Sequence, residues 1–399
     1  MLDRKYRVGL TLLSSVAMGA WTASAWAAEQ NFISLENPAP LERSGRPAWT
    51  DKDFREAIPA PVPTATEPAE GKTLGRRSLK TVPGKEAVEP AQLPPSAIEE
   101  VPELKTRLFP GGEDKSGTRR GGSLAPKMET HQAGTAQAPF SSSRLIPQEA
   151  RLTYPYRAAG KLFYKSADGK SWVCSGAVIA PRLVLTAGHC VHEGKGAAEG
   201  FHRDFVFVPA YYYGEAPLGA WSFSWVVTTE EWSNSDGAVP NQADFAILEM
   251  RDIKTAKAGV IKLGNQTGWF GLGVPGNWPN HTKRLGYPVG FDQGQEMHQV
   301  DSQSAGADTE FSVVYGSDMN GGSSGGPIIQ NFGAVSVGEE IEGLNLIVGV
   351  TSYGPKDTTV KTQGSSVFTQ ELLDIYKAAC QHQAGNCPGQ FLSSKSAAQ

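Results

Sequence analysis

Short runs of apolar residues, separated by turn residues, dominate the chain from about residue 145 onward. Several of these runs are rich in β-branched and aromatic residues, which favour strands. We predict strands at residues 160–164, 172–179, 183–186, 205–208, 225–228, 245–250, 311–315, 327–329, 344–350 and 366–368. Many short strands with few helical periods between them predict an all-β fold, either a barrel or a sandwich.

One stretch near the C-terminal end has the period of a helix instead. Its apolar residues recur with the i, i+3, i+4, i+7 and i+8 spacing of one helix face, at Leu372, Ile375, Tyr376, Ala379 and Cys380. We expect this helix to pack on the β-structure through that face, which is a structural role and not a chemical one.

The beginning of the chain has the pattern of a secretory signal peptide. A basic start at residues 4–7 precedes an apolar run over residues 8–21, and small residues at positions 25 and 27 offer a cleavage site. The run is short and rich in Ser, Thr and Gly, so a signal peptide over residues 1–28 is favoured over a membrane anchor. We therefore expect an exported protein without a membrane anchor, either secreted or periplasmic.

Proline dominates the next segment, since 16 of the 27 prolines fall between residues 29 and 150. Such a composition buries too little apolar surface to offset the entropy of ordering, so we predict a largely disordered segment. We interpret residues 29–144 as a propeptide that is removed on maturation, with a linker or stalk as the alternative. Basic residues offer cleavage points at Arg76-Arg77, Arg119-Arg120, Arg144 and Arg151. Of these, Arg144 lies just before the change in composition.

Charge and cysteine content narrow the functional class. The chain has 399 residues and a net charge of −4, so no basic excess indicates nucleic-acid binding. None of the four cysteines has the C-x-x-C spacing of a zinc site, and we expect neither a metal nor a cofactor. In an oxidising compartment they form two disulfides. Three pairings are open, and we favour the local pairs Cys174–Cys190 and Cys380–Cys387. We expect a monomer.

A serine lies among four glycines in the stretch GGSSGGP at residues 321–327. Glycine weakens helix and strand interiors, but it allows a tight exposed turn with bare backbone N–H groups. Ser324 is then a candidate nucleophile, and the N–H groups of Gly322 and Ser324 are candidate donors to the oxyanion that forms on attack. Taken alone, the stretch fits a flexible Gly/Ser loop better.

Two further stretches favour a catalytic role for Ser324 over a flexible loop. Residues 183–190 (LVLTAGHC) predict a buried strand that ends in a small-residue turn, which presents His189 beside the disulfide of Cys190. Asp244 begins the apolar run DFAIL, where aspartate is disfavoured unless a partner holds it. We predict that Asp244 accepts the Nδ1–H of His189, fixes its tautomer and stabilises the imidazolium. The histidine then takes the proton of Ser324 during attack and returns it to the leaving amine.

These motifs resemble those of the chymotrypsin-like serine endopeptidases and stand in the same order. AGHC at residues 187–190 is similar to the histidine signature, DFAIL at 244–248 to the aspartate region, and GSSGGP at 322–327 to the serine signature. The sequence YPY at 154–156 and the glycine pair before the two serines are most similar to bacterial V8-type glutamyl endopeptidases. The resemblance implies two six-stranded antiparallel β-barrels with a C-terminal helix over residues 145–399. It also implies an endopeptidase that acts on polypeptides.

Two positions depart from the family pattern. Many animal members have an aspartate just before the serine, which pairs with the new amino terminus after activation, but Ser323 stands there in this chain. Glutamyl-specific members have a histidine in the strand that lines the specificity pocket, where this chain has Thr351. The first departure argues against activation through that ion pair, and the second weakens a preference for acidic side chains.

Asp318 lies six residues before the candidate nucleophile, an offset at which trypsin-like enzymes have a pocket aspartate that attracts Arg or Lys. We favour this role, and hence cleavage after Arg or Lys, which would make cleavage after Arg144 self-processing. A structural acid and a glutamyl preference are the alternatives. The resemblance further implies that Ser352, Tyr353 and Gly354 pair with the substrate backbone as an added strand.

Two other functions compete with an endopeptidase. GSSGG at residues 322–326 also fits the G-x-S-x-G nucleophile elbow of α/β-hydrolases, with Asp357 or Asp374 and His382 as partners. That elbow must open a helix, and the glycines that follow Pro327 predict strands and turns, so an esterase is disfavoured. An inactive relative used for binding is disfavoured by the intact histidine, aspartate and serine.

Overall fold

Strands make up most of the regular structure, as the short apolar runs predict. A computed structural model describes residues 31–37, 49–65, 87–94, 101–109, 138–274, 280–306, 309–335, 343–357 and 359–388. The signal peptide predicted for residues 1–28 lies outside the described residues. The described residues belong to one compact unit.

The strands and helices are numbered in chain order. The strands are β1 (Phe32–Glu36), β2 (Ile58–Pro59), β3 (Ala87–Glu89), β4 (Thr106–Arg107), β5 (Phe140–Arg144), β6 (Ala159–Lys165), β7 (Ser171–Val178), β8 (Leu183–Thr186), β9 (Arg203–Pro209), β10 (Glu215–Ala216), β11 (Trp221–Thr229), β12 (Ala246–Met250), β13 (Ile253–Thr255), β14 (Gly259–Ile261), β15 (Gly271–Val274), β16 (His281–Gly286), β17 (His298–Gly306), β18 (Ser312–Gly316), β19 (Pro327–Gln330), β20 (Leu346–Val350) and β21 (Thr362–Ser366). The helices are α1 (Asp51–Glu56), α2 (Glu230–Ser233), α3 (Leu263–Thr267) and α4 (Gln370–His382).

The first barrel is closed. Its strands pair in the order β6-β7-β8-β12-β11-β9, and β9 completes the ring because it pairs with both β11 and β6. β8 and β12 are buried along their whole length, and Leu185 lies opposite Ile247 across the pair. Large side chains of the barrel strands, among them Phe163, Phe207 and Trp221, are fully buried. This barrel confirms the first of the two barrels that were predicted.

The second sheet is open, which corrects the prediction of a second closed barrel. Its strands follow the order β21-β18-β17-β16-β19-β20-β15-β3. Within the described residues β20 and β21 share no ladder, and the chain beyond β20 meets β21 at a single bridge between Tyr353 and Gly364. The next residue, Gly354, pairs with Thr64 of the N-terminal segment.

Parts of the N-terminal segment form regular structure in the described residues, and the prediction that residues 29–144 are largely disordered stays a prediction. Its strands pair with β-strands of the remaining chain: β1 with β11, β2 with β7, β3 with β15, β4 with β10, and β5 with β17. Trp49 and Phe54 stack on each other at 4.8 Å and pack against Phe163 of the first barrel. Proline is compatible with these strands because an edge strand needs N–H donors on one side only. The sheets supply the apolar surface that this segment lacks by itself.

The C-terminal helix and both disulfides confirm their predictions. α4 buries Leu372, Ile375, Tyr376 and Ala379 against the rest of the molecule. The disulfides join Cys174 to Cys190 and Cys380 to Cys387. None of the helices in the described part of the chain is long and apolar enough to span a membrane.

Candidate active site

His189 lies in a single 3₁₀ turn directly after β8. The turn is tight because Gly188 approaches other groups closely. A Cβ at this glycine would lie 2.8 Å from the ring of Trp232 and 3.0 Å from a carboxylate oxygen of Asp244. The disulfide of Cys190 ties the same turn to β7. The local sequence therefore fixes the backbone of the histidine on both sides.

Asp244 is fully buried just before β12 and accepts three hydrogen bonds. Its Oδ1 accepts the backbone N–H of His189 at 2.8 Å, and its Oδ2 lies 2.8 Å from Nδ1 of the same histidine. Oδ2 also accepts the hydroxyl of Ser352 at 2.5 Å. Because a carboxylate only accepts hydrogen bonds, the neutral imidazole carries its proton on Nδ1 and leaves Nε2 as the acceptor. This geometry agrees with the predicted pairing of aspartate and histidine.

Ser324 is fully buried in a turn that requires its glycines. Gly322 and Gly325 have φ values of +91° and +76°, a region of backbone conformation that favours glycine. A Cβ on Gly325 would lie 2.0 Å from Oγ1 of Thr186 and 2.8 Å from the backbone N of Ala187. Those two residues lead directly into the histidine turn. This close approach puts the serine turn beside the histidine turn.

The residues that follow β20 connect the serine turn to the aspartate. Thr351 accepts the N–H of Gly325 at 2.8 Å and donates its own N–H to the carbonyl of Gly326 at 2.9 Å. The next residue, Ser352, donates its hydroxyl to Asp244. The structure thus brings the predicted histidine, aspartate and serine into one region, with a single short segment bonded to the aspartate and to the two glycines after the serine.

Two atoms at this site are buried and unpaired. Among the described residues, neither Nε2 of His189 nor Oγ of Ser324 has a hydrogen-bond partner. The ring of Trp232 packs edge-on against the histidine, with ring centres 6.2 Å apart. A basic nitrogen and a hydroxyl kept away from water are equipped to exchange a proton when a substrate approaches.

Ser323 is held by neutral hydrogen bonds in the place where many family members have an aspartate. Its hydroxyl donates to the carbonyl of Asn320 at 2.7 Å and accepts from Nε2 of Gln363 at 3.1 Å. Oε1 of Gln363 accepts from the hydroxyl of Ser317 at 2.8 Å and from Nη1 of Arg284 at 3.4 Å. Sequence reasoning missed Gln363, because a contact across 40 residues leaves no local pattern.

Two charged groups neighbour this network. Asp318 is half-buried, and its Oδ1 is buried without a hydrogen-bond partner in the described part of the chain. Arg284 is fully buried on β16, with its guanidinium 4.4 Å from the centre of the Tyr315 ring. Its Nε and Nη2 likewise have no partner among the described residues. Burial lowers the pKa of this guanidinium to about 9, so it stays charged at neutral pH.

The predicted substrate-binding strand is partly committed to internal bonds. The N–H groups of Ser352 and Tyr353 both donate to the carbonyl of Gly364, at 3.0 and 3.3 Å. Thr351, expected to line the pocket, is buried and ties its backbone to the serine turn. Ser352 contributes to the site through its contact with the aspartate, a role that its sequence position did not reveal.

Gly354 and Gly322 instead contact the N-terminal segment. Gly354 donates its N–H to the carbonyl of Pro63 at 2.9 Å and accepts the N–H of Ala65 at 3.2 Å. The N–H of Gly322, a predicted oxyanion donor, points at the carbonyl of Ala60 at 3.2 Å. Sequence reasoning missed this contact, although the alternating prolines around residue 61 marked the segment as unusual.

Potential metal ligands also meet at the histidine. The sulfurs of Cys174 and Cys190 and a ring nitrogen of His189 all lie within 4.8 Å of one another. Both sulfurs are joined in a disulfide, so neither is a thiolate ligand. The donor set therefore does not fit a metal ion.

The structure that follows the serine turn bears on the esterase alternative. Ser324 is followed by strand β19, which begins at Pro327, and a nucleophile elbow requires a helix there. His382, the histidine that this alternative needs, bonds Glu249 and Glu36 instead. The geometry of an α/β-hydrolase is therefore not formed.

A family assignment follows from comparison with known proteins. The sequence model of the family "Trypsin" matches residues 149–374, more than half of the chain. The matched region holds the histidine, aspartate and serine turns. The chain therefore belongs to the trypsin family of chymotrypsin-like serine endopeptidases.

Named relatives are distant. The chain is 23% identical over 190 residues to an extracellular metalloprotease of Bacillus subtilis, a match that covers 45% of this chain and 53% of the relative. It is 23% identical over 237 residues to a glutamyl endopeptidase of Bacillus licheniformis, covering 57% of this chain and 68% of the relative. The chain thus spans about half the length of the first relative and about two thirds of the second.

Two solved structures match part of this chain. A thermostable serine protease, AL20, from an extremophilic microorganism is 26% identical with a TM-score of 0.47, covering 56% of this chain and 96% of that one. Protease Anisep from Arthrobacter nicotinovorans is 27% identical with a TM-score of 0.46, covering 56% of this chain and 94% of that one.

Proposed function

We propose that this chain is an exported serine endopeptidase that hydrolyses peptide bonds through His189, Asp244 and Ser324 by way of an acyl-enzyme. One observation carries the proposal. Asp244 engages both the backbone N–H and Nδ1 of His189, while Nε2 and the serine hydroxyl stay buried without partners among the described residues. A histidine fixed in this tautomer is a general base with its lone pair available to the nucleophile.

The reaction proceeds in two symmetrical halves. Nε2 of His189 takes the Ser324 proton as Oγ attacks the substrate carbonyl, and Asp244 stabilises the imidazolium. The N–H groups of Gly322 and Ser324 stabilise the negative oxygen of the tetrahedral intermediate. Nε2–H then protonates the leaving amine, which leaves an ester on the serine. Water, activated by the same nitrogen, attacks this ester and releases the acid.

For specificity we propose cleavage after Arg or Lys, with Asp318 as the acid that receives the side chain. The support is its unpaired buried Oδ1, because a buried carboxylate oxygen without a donor is costly and a cationic side chain would satisfy it. Ser352, Tyr353 and Gly354 hold the substrate backbone, with Gly354 offering both its N–H and its carbonyl.

A glutamyl preference is the second candidate, and a different observation favours it. Arg284 is a fully buried cation linked by one hydrogen bond to Gln363, which in turn contacts the residues before Asp318 and Ser324. A substrate carboxylate would supply the missing counter-charge. The relative from Bacillus licheniformis is named a glutamyl endopeptidase.

We further propose that residues 145–399 are the mature enzyme, released by removal of a signal peptide (1–28) and of residues 29–144. Arg144 ends β5, is about half exposed, and lies 3.9 Å from the buried Glu296. Strand pairing with β17 holds this residue, and residues 60–65 occupy the candidate site instead. Cleavage after Arg144 is therefore an intermolecular event.

A fluorophosphonate probe tests the catalytic assignment. We expect the processed protein to be labelled on Ser324, and Ser324→Ala to abolish labelling and peptidase activity. Ser323→Ala is the matched control, because it removes the adjacent hydroxyl but leaves the nucleophile, so labelling should be slowed by no more than about tenfold and not abolished. Full peptidase activity in Ser324→Ala would refute the mechanism.

A peptide library then separates the two specificities. Under the first candidate, cleavage follows Arg or Lys and Asp318→Asn lowers it sharply. Under the second, cleavage follows Glu and Arg284→Gln lowers it. If Asp318→Asn leaves the preference for Arg or Lys unchanged, that aspartate has a structural role instead.

A further inference from the structure

Residues 58–65 of the N-terminal segment, here called the cleft segment, run through the candidate active site. The segment enters as β2, which pairs in parallel with Trp172 and Val173 of β7. Ala60 extends this pairing by donating its N–H to the carbonyl of Val173 at 2.9 Å. Further along, β7 also pairs with β8, the strand that leads to the histidine.

The cleft segment uses the backbone groups that the proposed function assigns to a substrate. The carbonyl of Ala60 accepts the N–H of Gly322, the proposed oxyanion donor, at 3.2 Å. Both backbone groups of Gly354, the proposed substrate strand, are taken by Pro63 and Ala65. A substrate therefore competes with this segment for the same donors and acceptors.

Close packing at three glycines accompanies these hydrogen bonds. A Cβ on Gly321 would lie 3.0 Å from the carbonyl oxygen of Ala60, and one on Gly354 would lie 3.5 Å from Cγ1 of Val62. A Cβ on Gly322 would lie 3.5 Å from Cβ of Pro59. The contact at Gly321 leaves little room for a side chain, and the other two are ordinary van der Waals distances, so the segment lies directly against the backbone of the cleft.

The composition of the cleft segment favours tight binding. Prolines at positions 59, 61 and 63 alternate with small or β-branched residues. Proline fixes φ and removes a backbone donor, so the free segment already samples extended conformations and loses little entropy when it binds. It carries no charge, so desolvation in the cleft costs little.

Contacts on both sides hold the cleft segment in place. Upstream, the indole N–H of Trp49 donates to the carbonyl of Asp204 at 2.6 Å, and Asp53 pairs with Lys165 at 3.2 Å. At the C-terminal end of the segment, Ala65 packs on an apolar cluster that includes Trp232, the ring beside the histidine. Anchoring at both ends raises the effective concentration of the segment at the cleft.

We propose that the cleft binds proline-rich strands of the Pro-x-Pro-x-Pro class, and that the cleft segment fills it in the uncleaved chain as a built-in inhibitor. The inference rests on the proposed function and deepens it, because it identifies a regulator of the same site. Removal of the segment then activates the enzyme. Activation needs no new ion pair at Ser323, because the hydrogen bond to Gln363 already holds that serine in the uncleaved chain.

Labelling rates test the inference on the protein as it is made. The intact chain and the processed form from the same culture are treated with a fluorophosphonate probe, and we expect the intact chain to react about 10²-fold more slowly. Equal rapid labelling of both forms would overturn the inhibitor and leave the proposed function standing. Absence of labelling in both would instead refute the proposed function.

A matched pair of variants locates the effect within the segment. Val62→Asp places a charge against Gly354 and should speed labelling of the intact chain at least about tenfold. Leu93→Asp makes a similar change outside the cleft segment, at a side chain that is 69% exposed, and should leave the slow rate unchanged. Equal rates for the two variants would contradict binding through the cleft.

A peptide supplies a measurement that does not depend on folding of a variant. A capped peptide of residues 57–66 should slow labelling of the processed form competitively, and a peptide with the same residues in reverse order should not. If the processed form is labelled at the same rate with and without a millimolar concentration of the first peptide, the proposed binding site is wrong.

Discussion

The closed first barrel and the open second sheet hold their parts of the candidate site by different means. The barrel fixes His189 and Asp244 with an uninterrupted ring of strands, an apolar interior and a disulfide at the histidine turn. The sheet holds the serine turn through buried polar groups, with Gln363 and the charged Arg284 at the centre. The base and its acid are thus set by packing, whereas the nucleophile is set by a hydrogen-bond network.

This difference has an energetic consequence. An apolar core loses stability in proportion to the surface it fails to bury, and it tolerates small changes. A buried polar network fails more abruptly, because one missing partner leaves several groups unpaired. We therefore expect the serine side of the site to be the more sensitive to single substitutions away from the catalytic residues.

The largest effect is expected where the two regions meet, at Asp244. Asp244→Asn should lower kcat by about 10⁴-fold, because an amide can donate to Nδ1 and stabilise the wrong tautomer of His189. Steady-state kinetics on a peptide substrate measure this loss. Ser352→Ala removes one of the three hydrogen bonds of Asp244 and should cost far less activity. If the two variants lose similar activity, Asp244 does not act by fixing the tautomer of His189.

The disulfide at the histidine turn should give the next largest effect. Replacing Cys174 and Cys190 with alanine opens a loop of 16 residues and should cost about 3 kcal/mol of unfolding free energy by loop entropy. We also expect lower activity, because the bridge borders the histidine. Denaturant titration and kcat/KM measure the two effects.

The second disulfide is the control for the first. Replacing Cys380 and Cys387 opens a loop of 7 residues and should cost about 2 kcal/mol, with activity preserved. Loss of activity in this variant as well would indicate that global stability, and not the position of the histidine turn, limits catalysis.

A smaller effect is expected from Gln363→Ala in the second sheet. The change leaves Ser317, Ser323 and Arg284 without their shared partner and should cost about 1–3 kcal/mol. We expect kcat/KM to fall about tenfold, because the residue before the nucleophile loses a hydrogen bond. Gln299→Ala, in the same sheet but bonded elsewhere, is the control and should keep its activity.

The smallest effect concerns pH and the docking of α4 on the first barrel. Burial by itself would lower the pKa of His382, but hydrogen bonds to Glu249 and Glu36 outweigh burial and raise the pKa. A raised folded-state pKa stabilises the protein fully below about pH 6.5, and this contribution is lost as pH rises through the folded value. The melting temperature of the wild type relative to His382→Gln should therefore fall by about 1–2 °C between pH 6 and 8.

A form of the protein without the N-terminal segment isolates the contribution of Glu36 to the pKa of His382, because Glu36 belongs to β1. In that form the pH dependence should be weaker, since one of the two carboxylates is gone. An equal pH dependence in both forms would assign the whole effect to Glu249.

Sequence patterns predicted the first barrel better than the second sheet, and the reason is physical. β8 was predicted at its observed bounds because four buried apolar and β-branched residues stand between clear turn signals. β16 and β17 were missed because their sequences, HTKRLG and HQVDSQSAG, contain few apolar residues. Their interior includes Arg284, which no apolar pattern reveals. β21 was expected at residues 366–368 and lies at Thr362–Ser366, since its residues are mostly small and polar.

The candidate site divides in the same way. The turns that present His189, Asp244 and Ser324 have local signatures, so their meeting could be predicted from spacing and order. Gln363 and the cleft segment act through tertiary contacts alone. Composition predicted disorder for the segment because it counts what a stretch can bury by itself, and here the partner surface comes from elsewhere in the chain.

The five strands of the N-terminal segment have a consequence for the protein after maturation. β1, β3 and β5 cover edges of β11, β15 and β17. The proposed mature enzyme lacks these three strands, so β11, β15 and β17 would each present a row of bare N–H and C=O groups to solvent, and such rows recruit strands from other molecules. Aggregation during heterologous production should accordingly be worst when the gene is cut back to the mature enzyme.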